Sequence, residues 1–130
     1  MIEGTSISLL GTGYYVPEEK ETAKWATERY ELDPKKVERN GFKEVFVARY
    51  ENLGDMAYKA SVKAIENAGI DPLEIDLIIY ARAGIPDYFW HPEYARLQHR
   101  IGAKNAYSYA VDQGCNAQMV GLDIASAKLL

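Results

Sequence analysis

Only one cysteine, Cys115, occurs in 130 residues, so neither an internal disulfide framework nor a cysteine-based zinc site can be built. A basic excess is also missing. Fifteen Lys and Arg stand against nineteen Asp and Glu, giving a formal net charge of −4. No surplus of cations exists to displace counterions from a nucleic acid. Ten tyrosines and three phenylalanines could stack on bases, but basic residues are not interleaved with them. No apolar run approaches the ~20 residues that a membrane helix requires. The opening MIEGTSISLL has no cationic stretch and too short an apolar run for a secretory signal. The expectation is a soluble, cytoplasmic protein without nucleic-acid or membrane partners. What remains is globular in composition, 48% hydrophobic and 26% charged, and long enough for one ordinary domain.

Along the chain, Ser6–Leu10 reads as a short strand ended by Gly11-Thr12-Gly13. Ala23, Ala26 and Tyr30 recur at helical spacing, and Pro34 suits the first position of a second short helix. Phe42, Val45 and Val47 suggest extended pieces after a turn at Gly41. Asn52 can cap a longer helix, with Asp55 favouring the positive end of its dipole. In that helix Ala57, Ala60, Ala64, Ile65 and Ala68 form a narrow stripe of mostly small residues, which lets a helix lie close on a sheet. Gly69 and Pro72 stop it. Leu77–Ala81 reads as a buried strand, and RAGIPDYFW as a turn-rich loop leading to Pro92, before which His91 stands as a helix cap. The next helix carries Tyr94, Leu97 and Ile101 on one face, and Ala106–Val111 forms a further strand. Alternation of strand and helix at this spacing implies crossover units and a largely parallel sheet.

The segment from Asn116 onward is unusual. Ala117, Met119, Val120, Leu122, Ile124, Ala125, Ala127, Leu129 and Leu130 point in every direction around a helix axis. A helix apolar all round has to be covered all round. Burying five of its large side chains would contribute about 10 kcal/mol in total, and one sheet covers only one side. Cys115 stands where the preceding strand ends and this helix begins. Free N–H groups and the helix dipole there favour a thiolate, and the same N–H groups could hold the oxyanion of an attacked thioester. The geometry resembles a nucleophile elbow. By position alone a free cysteine is more often a small buried hydrophobe. The two histidines, His91 in a loop and His99 mid-helix, are not placed by spacing as its base.

DQGCNAQMVGLDIASAKLL resembles the active-site turn and central helix of the type III β-ketoacyl-acyl-carrier-protein synthases, in the thiolase-like superfamily. GTGYYVPEE is similar to that family's opening strand and loop, and ERNGF to its arginine-x-glycine-hydrophobic segment. GDMAYKASVKAIENAGIDPLEIDLIIYA resembles its helix-strand unit. HPEYARLQHRIGAKNAYSYAVDQGC is similar to the run leading into the nucleophile. The resemblance implies the N-terminal half of a thiolase-like α/β fold, spanning residues 1–130. It would have a mostly parallel mixed sheet, helices on both faces and a central buried helix after the nucleophile. Cys115 would be the catalytic nucleophile, taking an acyl group from acyl-coenzyme A or from the phosphopantetheine of an acyl carrier protein. No metal and no covalently bound cofactor is implied.

The same resemblance matches Arg39 to the arginine that contacts coenzyme A or the phosphopantetheine of the carrier. His91 falls where the family has an apolar residue reaching across a dimer toward the partner's acyl pocket, and with Phe89 and Trp90 it forms a candidate pocket-closing loop. Two departures stand out. Lys35 replaces a tryptophan that stacks on the coenzyme A adenine, which turns the expectation toward a carrier-protein donor. The catalytic histidine, its asparagine or other partner, and one oxyanion-hole glycine belong to a C-terminal half that is absent here. The expected partner is therefore a chain carrying that half, in a homo- or hetero-oligomer. Gly11-Thr12-Gly13 is not a dinucleotide fingerprint, because its third glycine would fall at Val16. An acyltransferase of fatty-acid or polyketide biosynthesis is the leading expectation. The alternatives are a non-catalytic interaction subunit with a merely buried cysteine, and a thiol hydrolase using His91 or His99.

Overall fold

The computed structural model describes residues 7–129, which fall into two compact units. One unit is Tyr15–Asn52. Strand β1 (Lys20–Thr22) pairs antiparallel with β2 (Glu44–Phe46), and helices α1 (Ala23–Tyr30) and α2 (Pro34–Asn40) lie between them in the chain. Local chemistry sets the boundaries. Thr22 ends β1 and caps α1, its Oγ1 accepting from the Trp25 N–H at 3.1 Å. Asp33 does the same for α2 through the Lys35 N–H at 3.0 Å, with Pro34 next to it. Gly41, at φ 72°, ends α2 in a left-handed turn that a side chain would resist. The extended piece at Phe42–Val47 is thus β2; its partner β1 carries no apolar alternation and had not been foreseen.

The other unit joins residues 7–14 to 53–129. It holds α3 (Leu53–Ala68), β3 (Leu77–Arg82), α4 (Glu93–Ile101), β4 (Tyr107–Asp112) and α5 (Ala117–Leu129). Strands β3 and β4 are parallel, in register from Leu77↔Tyr107 to Arg82↔Asp112, with α4 as the crossover. Side chains alternate across a strand, so the two faces can be told apart. Ile79 and Ala81 lie under Gly121 of α5. On the alternate residues, Ser108 meets Gln98 of α4 and Arg82 meets Glu93. Helices therefore cover both faces of the parallel pair. Gln98 also closes the turn after α4, donating to the carbonyls of Ala103 (3.1 Å) and Ala106 (2.6 Å). Tyr80, Leu97, Ala103, Ala106, Val111 and Ala117 form the buried core.

Three expectations change. Residues 7–10 pair with no strand among the described residues, and Ile7, Leu9 and Leu10 are exposed; Ser6 lies outside the described residues. A strand exists only where a neighbour completes its ladder. The small stripe of α3 serves the glycine segment rather than the sheet. A Cβ on Gly11 would come 2.6 Å from the Ala64 carbonyl oxygen, and one on Gly13 2.2 Å from that of Ala60. Finally, β3 is only partly buried, Tyr80 most fully, because α4 and α5 leave much of a two-stranded sheet open.

Candidate active site

Strand β4 ends at Asp112, and the chain reverses into α5 through a short 3-10 turn, Gly114–Asn116. Gly114 has φ 55°, so the left-handed residue of this turn is the glycine before the cysteine, not the cysteine itself. That differs from an elbow in which the nucleophile bears the strain. Cys115 is exposed. Within this chain, then, nothing packs over the thiol among the described residues. The N–H groups of Asn116 and Ala117 are spent on the carbonyls of Gln113 and Gly114, so they do not hold an oxyanion here.

Helix α5 lies on the sheet by its Ala117–Gly121 face. A Cβ on Gly121 would be 3.3 Å from Ile79 Cγ2. Its opposite side is open among the described residues: Met119, Leu122 and Leu129 are 60–65% exposed. The one sheet covers one side only, as geometry requires, and Leu130 lies outside the described residues.

Phe89, Trp90 and His91 sit in the loop between β3 and α4, with Phe89 and Trp90 85% and 87% exposed. Their two rings meet edge to face at 5.3 Å, and Tyr88 and His91 do so at 6.2 Å. His91 is not the helix cap. Pro92 occupies that position with no side-chain hydrogen bond, because it has none to give. His99 is exposed in the last turn of α4, where a cation would suit the negative helix end. These contacts draw neither imidazole to the thiol. Arg39 and Lys35 are exposed on α2, four residues apart and hence on one helix face. They belong to the other compact unit.

Sequence reasoning missed the buried polar centre beside the loop. Glu93, 5% exposed, accepts from Arg82 Nη1 at 3.1 Å and from the Asp87 N–H at 2.6 Å. Arg82 Nε also reaches Asp112 at 3.2 Å. A charged residue opening a helix beside a strand ending in arginine was the available signal. Among the described residues no cluster of three or more His, Cys, Asp or Glu could hold a metal ion, and no helix is long and apolar enough to cross a membrane.

No family model matches the chain. Among curated proteins it is 35% identical over 122 residues to the β-ketoacyl-[acyl-carrier-protein] synthase III of Clostridium acetobutylicum, which covers 93% of this chain and 37% of that protein. The priming β-ketosynthase of the R1128 polyketide pathway superposes with a TM-score of 0.82 at 28% identity, covering 90% of this chain and 35% of that one. The 3-oxoacyl-[acyl-carrier-protein] synthase III of Aquifex aeolicus gives 0.82 and 28%, covering 91% and 38%. The fold is thiolase-like α/β, and the chain spans somewhat over a third of the length of the relatives it matches.

Proposed function

Because the chain is related over nearly its whole length to β-ketoacyl-[acyl-carrier-protein] synthase III, we propose that it is the N-terminal part of a ketosynthase-III-like acyltransferase of fatty-acid or polyketide biosynthesis. Cys115 is its nucleophile. The observation carrying this reading is an exposed lone thiol at the glycine turn between β4 and α5. The Cys115 sulfur, as thiolate, attacks the carbonyl carbon of an acyl thioester, forming a C–S bond and an oxyanion. Collapse breaks the old C–S bond and releases the coenzyme A or carrier thiolate, which takes up a proton. The Cys115 N–H supplies one oxyanion donor; a C-terminal half supplies the other and the base. An acceptor, either the carbanion from decarboxylation of a malonyl thioester or another nucleophile, then takes the acyl group and returns the thiolate.

Arg39 and Lys35, on one face of α2, bind the phosphates of the donor, and an acyl carrier protein is the favoured donor because Lys35 offers no ring to stack on adenine. Phe89, Trp90 and His91 close the acyl pocket. The open side of α5 is the seat of the C-terminal half, in a cytoplasmic homo- or hetero-oligomer, a dimer in its simplest form. Incubation with an acyl thioester, with a C-terminal half supplied, should add the acyl mass to the Cys115 peptide and not to Cys115→Ser. Absence of acylation in the completed complex would end this reading and leave the interaction-subunit alternative.

A further inference from the structure

Glu93 is the charged residue buried among the described residues, and it opens α4. A buried carboxylate is costly unless both oxygens are satisfied, and here both are. One takes the Arg82 guanidinium at 3.1 Å, the other the Asp87 N–H at 2.6 Å. Arg82 ends β3 and Glu93 begins α4, so their ion pair closes the base of the connecting loop. Asp87, midway along it, is pinned twice: its N–H to Glu93, and its carboxylate to the N–H groups of Leu53 (3.1 Å) and Gly54 (2.8 Å) at the start of α3. Tyr88, Phe89 and Trp90 follow directly. Three large exposed rings therefore stand on a peptide held at its base and middle. The same guanidinium reaches Asp112, which ends β4 three residues before Cys115.

We propose that Arg82 and Glu93 are positioning residues: through Asp87 they hold the Tyr88–Trp90 stretch in place before any partner or acyl chain arrives, and through Asp112 they fix the thiol turn to the same anchor. Preordering of this kind lowers the cost of ordering the loop on binding. The consequence for acyl-chain choice rests on the acyl-transfer reading; the structural claim does not.

The test is amide hydrogen exchange on the full chain. In folded Glu93→Gln, exchange at Asp87 and at Leu53 and Gly54, whose N–H groups bond to Glu93 and Asp87, should accelerate about tenfold or more, since the buried hydrogen bond loses its charge assistance and Arg82 its counter-ion. Amides 57–68 and 107–111 should stay within about twofold of native. Arg82→Lys, whose single ammonium lacks the planar fork, should also loosen residues 113–116. Unchanged loop and cap amides, or one uniform acceleration throughout the unit, would overturn the proposal. If Glu93→Gln does not fold, Asp87→Asn is read by the same criteria; failure of both to fold marks these as general stability residues and also overturns it. In the acylating complex, Glu93→Gln should change the ratio of Cys115 acylation by long and short acyl thioesters, and an unchanged ratio counts against the proposal. Normal exchange beside normal acylation sinks only this inference, whereas altered exchange with an inert thiol sinks only the acyltransferase.

Discussion

Gly13 lies so close to α3 that a Cβ added to it would stand 2.2 Å from the Ala60 carbonyl oxygen. That oxygen belongs to a helix backbone and cannot swing aside. Gly13→Ala should therefore destabilise the chain by about 3 kcal/mol, at the upper end of overpacking costs. Gly84→Ala, which meets nothing within 4 Å, is the control and should stay within about 0.5 kcal/mol of native in urea unfolding.

Asp87 caps a helix that begins 34 residues before it in sequence. Asp87→Ala should cost about 1–2 kcal/mol, and Asp87→Asn, which keeps one acceptor oxygen, less. Urea midpoints at constant m-value would show the order; equal losses for both variants would contradict a cap that depends on charge as well as on the acceptor.

Burial, and then the negative charges of Glu93 and Asp87, raise the Tyr80 phenol above its ordinary value of 10.0. The folded chain thus keeps the Tyr80 proton where the unfolded chain has begun to release it. The contribution is fully present below pH 10 and is lost as pH rises through the folded value. Tyr80→Phe removes this dependence, so native stability should fall relative to the variant as pH is raised above 10. Parallel alkaline limbs for the two proteins would refute it.

Leu122 is 60% exposed on the open side of α5. Leu122→Lys should change the stability of the isolated chain by less than about 0.5 kcal/mol, as a surface substitution does. It should also abolish binding of a supplied C-terminal half. Retained binding in a pull-down would show that this side is not the seat.

Much of this fold could be read from short stretches. Pro34, Gly41 and Gly69 mark helix limits because φ preferences act within a residue or two, and each stands at such a limit in the structure. The cysteine at a strand-to-helix junction was visible for the same reason, since β4 and α5 differ in their apolar period. Its exposure was not, because accessibility depends on what folds over the turn.

Amino-acid order by itself determined the helix limits, the parallel β3–β4 pair with its crossover helix, and the place of Cys115, since dihedral preference and periodicity are properties of neighbours in sequence. Tertiary structure alone decided that Asp87 caps α3, that Glu93 is buried against Arg82, that Gly11 and Gly13 receive the small side of α3, and that residues 7–10 stay outside a ladder among the described residues. The first three each depend on a partner 11 or more residues away in the chain, and a carboxylate or an extended segment carries no local mark of which partner the folded chain will bring to it.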